Sequence, residues 1–363
     1  MRLLIQRPGA LTTVQDLGRW GHQALGMPVS GAMDAPALVR GNLLLGNPEG
    51  AAALEITLMG PTVEFKDGGG AIAIVGGDLS PSLNGRPIPT WTAQVVREGD
   101  VLTFGAPSGK GMRAYLCVAG GIDVPPVMGS RSTYMKANVG GHQGRKLEAG
   151  DELPVGKPWV LWQYLDGVSC PENLRPDYSP APLRTVLGPQ DSYIEPEGLK
   201  TFFESEYKIS TSSDRMGCRL EGETPIAHIK GPDIISDGIP MGAVQIPGQG
   251  FPIVMMADRQ TTGGYVKIGV VHALDVARLA QLAPGSPVRF TAITQEQGIE
   301  ISKAEAKALE ALREYARDAA SRAARTAAPD TPSARTTDKP ASSGAMTVTV
   351  DGRPFNVTWE RIS

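Results

Sequence analysis

Residues 255–271 read MMADRQTTGGYVKIGVV. Two apolar runs, each short enough to be a strand, flank Asp258, Arg259, Gln260, Thr261, Thr262, Gly263, Gly264 and Tyr265. A hairpin turn needs only about two to five residues. The additional polar length carries charges, an amide and hydroxyls that suit a polar ligand, and Gly263 and Gly264 let a backbone approach one closely. The stretch therefore reads as β structure interrupted by one wall of a small-molecule pocket.

Working outward, the chain to residue 295 repeats short apolar runs between turn signals. TVEF (62–65), AIAIVG (71–76), QVV (94–96), VLTF (101–104) and RAYLCVAGG (113–121) read as strands. So do RTVLG (184–188), AVQI (243–246), FPIVMMA (251–257) and PVRFTAI (287–293). β-Branched residues and alternation support strands, and the Gly, Pro, Asn and Asp between them support turns. Asn84-Gly85 marks a tight hairpin. Helices are expected at 34–46, with Asp34 as N-cap and Leu38, Leu43 and Leu44 near one face, and at 274–283. The fold class is mainly β. A polar loop, a short amphipathic piece and two strands occur twice, which reads as a duplicated β domain.

The composition changes after residue 301. Residues 302–325 read as a helix with a capping box of Ser302 and Glu305 and a stripe of Leu309, Leu312, Ala316 and Ala319. Residues 326–345 read as a disordered linker. Residues 346–363 alternate on both sides of Asp351-Gly352, as a β-hairpin does.

The 363 residues are 41% hydrophobic, with a net charge of −3, 44 glycines and 30 prolines. The absence of a basic excess gives no reason to expect nucleic acid. Three scattered cysteines argue against a disulfide framework and fit a reducing cytoplasm. No run approaches the ~18 apolar residues of a membrane span. A soluble, cytoplasmic protein is expected, with no membrane partner.

His22, His142, His228 and His272 are far apart, and no metal site is expected. GAPSGKG (105–111) is one residue short of a phosphate loop, and Gly111 stands where Ser or Thr would bind magnesium. No nucleophile elbow is present. What remains are polar clusters at the ends of apolar runs. They comprise Gln15, Asp16 and Arg19; Ser30 and Asp34; Ser130, Arg131 and Ser132; Ser213, Asp214, Arg215 and Arg219; Gln245; and Asp258, Gln260, Thr261, Thr262, Tyr265 and Lys267. Arginine offers a fork for a carboxylate, and Gln or Thr can orient an amide. The set suits a small polar amide substrate, although an Asp–Arg pair can equally staple a turn.

GALTTVQDLGRWGHQALGMPVSGAMD (9–34), GGIDVPPVMGSRSTY (120–134), SSDRMGCRLEG (212–222) and residues 242–271 resemble, in order, the biotin-dependent carboxyltransferase family. This family is also called allophanate hydrolase subunit 2 and includes the Kip inhibitor antagonist and the C subunit of 5-oxoprolinase. The resemblance covers about residues 1–295. It implies two cyclophilin-like β-barrel domains, placed at residues 1–180 and 181–295. It also implies partners: a subunit-1 protein (the B subunit, Kip-inhibitor-like) and an A subunit.

The implied activity is that of the C subunit in an ATP-dependent 5-oxoprolinase complex, a hydrolase that opens 5-oxoproline to glutamate, with ATP used by the complex. The alternatives are carboxyl transfer to urea from carboxybiotin on a separate carrier, and non-catalytic binding of a Kip-inhibitor-like partner. The hairpin at 346–363 is similar to the opening of a biotinyl domain, but the one Met-Lys, Met135-Lys136, lies far upstream and reads as incidental. In the oxoprolinase scheme Arg215 or Arg131 clamps a carboxylate or phosphate, and Asp258 or Asp214 handles a proton. Gln245, Thr261 and Thr262 orient the amide, and Lys267 is an alternative charge stabiliser.

Overall fold

The computed structural model describes residues 1–109, 111–327, 343–350 and 353–360. Residues 2–154 build two antiparallel sheets. One runs Glu152–Pro154, Arg2–Arg7, Thr62–Lys66, Val101–Phe104, Pro81–Leu83, Arg86–Pro87. The other runs Leu11–Gln15, Ala53–Thr57, Arg113–Val118, Gly70–Gly76, Ala93–Val96. Alternation explains the first sheet: Leu3 and Ile5 point into a shared core with Val63, Phe65, Ile72, Ile74, Leu102 and Leu116. The expected tight hairpin is present, with Leu83 opposite Arg86 and both Asn84 and Gly85 at positive φ.

The second sheet is buried on both faces. Its outer face presents Ala71, Ala73, Ala93, Val75 and Cys117 to helix α1, Ala35–Leu44. Asp34 caps α1, accepting from Ala37 N at 3.1 Å. The expected single apolar face is not what the fold uses. Every residue from Ala37 to Leu44 is buried, because sheet lies on one side and the C-terminal helix on the other. The polar members are matched: Asn42 donates to Glu49 O and Ala51 O, and Arg40 meets Glu305.

Residues 183–292 form one eight-stranded sheet. Its order is Pro287–Val288, Tyr207–Ile209, Gly217–Glu221, Ile253–Met255, Ala243–Gln245, Lys267–Val271, Leu183–Leu187, Phe290–Ala292. The first and last strands are separated only by Arg289, so the sheet must curl back on itself as a barrel. The expected single strand at 287–293 is therefore two strands at opposite edges. The barrel core holds Val244, Val254, Ile268, Leu220 and Tyr207, with Phe202 from helix α2 (Pro196–Glu204) stacked on Phe290 at 4.3 Å. Helix α3, Ala273–Ala280, begins one residue before the expected 274, with His272 as N-cap.

Helix α4 spans Gln295–Ala327, not 302–325. The capping box is Thr294 with Gln297: Thr294 Oγ1 accepts from Gln297 N (3.2 Å), and Gln297 Oε1 accepts from Thr294 N (2.8 Å). Ser302 lies inside the helix and donates to Gly298 O. Glu305 is no cap partner; it holds Arg40 through both oxygens, at 2.6 and 2.9 Å. Leu312 and Ala316 enter the core beside α1, and Leu309 and Ala319 pack against it, as the stripe predicts. Of the expected linker, residues 328–342 lie outside the described residues.

Residues 325–363 form a separate unit. In it Ser343–Val350 pairs antiparallel with Arg353–Glu360, in register from Ser343 opposite Glu360 to Val350 opposite Arg353. Among the described residues no helix is long and apolar enough to cross a membrane.

Candidate functional site

Gln245 sits on a central barrel strand and is 2% exposed, yet its Nε2 has no hydrogen-bond partner. It lines an open cleft of about 790 Å³ together with Gln260, Tyr265, Asp214, Arg219 and Lys136. Gln245 lines the cleft with its amide nitrogen buried in the wall, an unmatched donor one layer behind the surface. The insert supplies the cleft's rim. Residues Thr262–Tyr265 form a strand of their own, paired with Asp233–Gly238, a ribbon that no apolar pattern in the sequence marks. A Cβ on Gly263 would lie 3.0 Å from Gln245 Nε2 and 2.5 Å from Ile239 Cδ1, so glycine is needed where this ribbon passes over the amide. Lys267 is buried under it, with Nζ 3.0 Å from Asp237.

Behind the cleft lies a buried polar junction between the two halves. Arg215 is its hub. Nε and Nη2 bind both oxygens of Asp258, at 2.9 and 3.0 Å; Nη1 binds Glu55; Nη2 also binds Gly31 O at 2.7 Å. Burial works against the Arg215 charge, but Asp258 and Glu55 outweigh it and raise its pKa above the usual arginine value. Glu55 also accepts from Tyr115 Oη (2.7 Å) and Met33 N (2.8 Å).

Asp16 closes the neighbouring loop. Its carboxylate accepts from Ser130 Oγ (2.6 Å), Ser132 Oγ, Arg131 N (2.5 Å) and Gly18 N (2.8 Å). Arg19 donates to Ser132 O, and its Nε and Nη1 are unmatched. Burial lowers the Arg19 pKa, opposed by Asp16 and Asp258. Ser30 has a positive φ of 57°, bonds Ala257 O through its amide, and has an unmatched hydroxyl. Gln15 reaches Thr13 Oγ1 and Thr133 O.

The residues singled out from the sequence thus divide. Asp214, Arg219, Gln245, Gln260 and Tyr265 share the cleft, and Gly263 abuts its amides. Gln15, Asp16, Arg19, Ser30, Ser130, Ser132, Arg215 and Asp258 lie in the junction. Thr261 and Thr262 meet the ribbon through their backbones, and Gly264 lies beside Ile234 O. Ser213 staples its turn by accepting from Arg219 N.

Three side chains take other partners. Asp34 is fully buried, accepting from Tyr178 Oη (2.5 Å) and Gln281 Nε2 (2.7 Å) as well as capping α1. Arg131 turns to Val124 O and Asp123, in a different cleft. Lys267 is held by Asp237 under the ribbon. Sequence reading misses Glu55 and Lys136. Glu55 is the lone charge in the strand Ala53–Thr57, which is the available signal. Lys136, incidental by its sequence context, lines the cleft with Nζ 3.4 Å from Asp214 Oδ2.

Residues 25–292 match the model of the carboxyltransferase domain, subdomain A and B. The chain is 39% identical over 310 residues to the 5-oxoprolinase C subunit of Escherichia coli (strain K12), covering 85% of this chain and 97% of that one. It is 36% identical to the 5-oxoprolinase C subunit of Haemophilus influenzae, covering 80% and 91%. Among solved structures, Kluyveromyces lactis urea carboxylase superposes with a TM-score of 0.80 at 30% identity, covering 86% of this chain and 29% of that one. The matched span contains the barrel that carries the cleft and the triad of Arg215, Asp258 and Glu55, so the chain belongs to the family of the carboxyltransferase domain, subdomains A and B.

Proposed function

We propose that this chain is the C subunit of a 5-oxoprolinase, working with companion A and B subunits to open the ring of a cyclic amide that also bears a carboxylate. The observation that carries the reading is the 39% identity across nearly the whole of the Escherichia coli 5-oxoprolinase C subunit. The cleft supplies matching chemistry. Gln245 Nε2 is a donor for the ring carbonyl, and Gln260 beside it has an acceptor for the ring N–H. Lys136 and Arg219 are the cleft's cations for the carboxylate. A lactam carbonyl is a poor electrophile, so ATP used by the complex activates it before water attacks, and glutamate leaves.

The roles expected of the arginines change in one respect. All three nitrogens of Arg215 are engaged inside the junction with Asp258, Glu55 and Gly31, so the carboxylate clamp passes to Lys136 and Arg219.

The test is ATP hydrolysis and glutamate release from 5-oxoproline, by the chain alone and with its cognate A and B subunits. Turnover is expected only in the full mixture, and Gln245→Ala should raise KM about 10-fold or more, the worth of one hydrogen bond in a desolvated site. A full mixture without turnover would sink the reading. The likeness to urea carboxylase supports a second reading, carboxyl transfer from carboxybiotin on a separate carrier to urea. Labelled carboxylate appearing on urea with a biotinylated partner would establish that one instead. A tight complex with a Kip-inhibitor-like partner and neither turnover would leave the regulatory role.

A further inference from the structure

We propose that Arg19 and Ser30 form a buried binding point for a small oxyanion at the junction of the two halves, separate from the open cleft. Arg19 is 0% exposed, and only its Nη2 is matched, by Ser132 O. Nε and Nη1 have no partner. The Ser30 hydroxyl is buried and equally unmatched. The two side chains belong to loops packed backbone against backbone: Arg19 N donates to Val29 O at 2.8 Å, and Ser30 N reaches across to Ala257 O at 3.1 Å.

No carboxylate touches the Arg19 guanidinium either; Asp16 and Asp258 act on it only from a distance. Asp16 is saturated by four donors from its own loops, and Asp258 is taken by both arms of Arg215. Other buried arginines have a carboxylate in contact: Arg40 has Glu305 and Arg278 has Asp275. Arg259 lacks one but gives its donors to Ile239 O and Met256 O. Arg113 also lacks one, leaves a single nitrogen unmatched, and donates to Ala280 O.

A buried guanidinium with no carboxylate in contact is unfavourable, and so is each unmatched buried donor. Water would satisfy the hydrogen bonds but not the charge. A carboxylate, bicarbonate or phosphate oxygen satisfies both, and a guanidinium with a hydroxyl is a suitable donor set for it. The site is held open for the guanidinium by Gly140, where a Cβ would lie 2.5 Å from Arg19 Nη2.

The inference does not depend on the oxoprolinase reading, since binding is read without turnover. The experiment is thermal melting of the full chain in sodium formate, bicarbonate, phosphate or 5-oxoproline against chloride at equal ionic strength. At least one oxyanion should raise Tm by about 2–4 °C in a saturable way. The general stabilisation by phosphate at high concentration does not saturate. Arg19→Gln should abolish the saturable shift, Ser30→Ala should weaken the apparent affinity about 5-fold or more, and Lys136→Gln in the cleft should leave it intact. A shift with formate or bicarbonate identifies a free ion as the source; a shift with 5-oxoproline alone identifies the carboxylate of a larger ligand only where it is lost in Arg19→Gln and kept in Lys136→Gln, which separates it from binding in the cleft. The proposal is overturned if no anion gives a saturable shift, or if every such shift survives Ser30→Ala and Arg19→Gln or vanishes in Lys136→Gln. Should Arg19→Gln not fold, the Ser30 and Lys136 variants decide it.

Discussion

Arg215 shows how the same residue can be read as chemistry from a sequence and as architecture from a structure. It stands in a polar cluster, SSDRMG, that suits a ligand site. What the sequence does not display is Glu55, 160 positions away, whose carboxylate completes a buried triad with Asp258. Ion pairs inside a protein are weak net contributors when whole, but removing one member leaves the others charged and dry. Arg215→Ala is therefore expected to destabilise the fold by about 3–5 kcal/mol, because Asp258 and Glu55 would remain without their cation. Urea denaturation measures it. A loss under about 1 kcal/mol would show that the triad is solvated or rearranges freely. Gln245, by contrast, is legible: it is a lone amide in an apolar strand, and it lines the cleft.

At the scale of elements, what the sequence displays is period and punctuation. Val101–Phe104 and the Asn84-Gly85 hairpin are visible because alternation and turn chemistry are local. The start of α4 is not, because Gly298 interrupts the helical pattern and hides Thr294 and Gln297 before it. The strand inside the insert is not, because Thr262–Tyr265 has no apolar face; it exists through its ladder to Asp233–Gly238. The α4 stripe is legible, and it makes a sharp prediction. Leu312 is fully buried against α1 and its neighbours, so Leu312→Ala should cost about 2–5 kcal/mol, from lost burial plus the cavity left behind. Hydrogen exchange should localise the loss to α4 and α1, since Arg40 and Glu305 tie those two helices together. Unchanged protection in both helices would mean that α4 docks through its ion pairs rather than through its apolar stripe.

For the whole molecule, the question is whether two β halves behave as one body. Beyond roughly 250–300 residues a single core stops growing, and separate transitions become the ordinary expectation. Here the halves are interlocked by groups that neither can satisfy alone. Met33 of the first half is buried in the core of the second. Gln281 of the second half donates to Asp34 and accepts from Arg113 N of the first. Arg215 carries its charge between Glu55 on one side and Asp258 on the other. Unfolding the second half alone would leave Glu55 and Asp34 without Arg215 and Gln281, and unfolding the first would open the apolar pocket that holds Met33, so partly unfolded states are disfavoured. The full chain should then melt in one calorimetric transition whose van't Hoff and calorimetric enthalpies agree. The hairpin of residues 343–360 should add no peak of its own, since two strands by themselves are marginal. In Arg215→Ala the shared charge is gone, and the transition should broaden or split. Two resolved peaks in the unaltered chain would mean that the junction is a contact between independent domains and not the bond that makes them one.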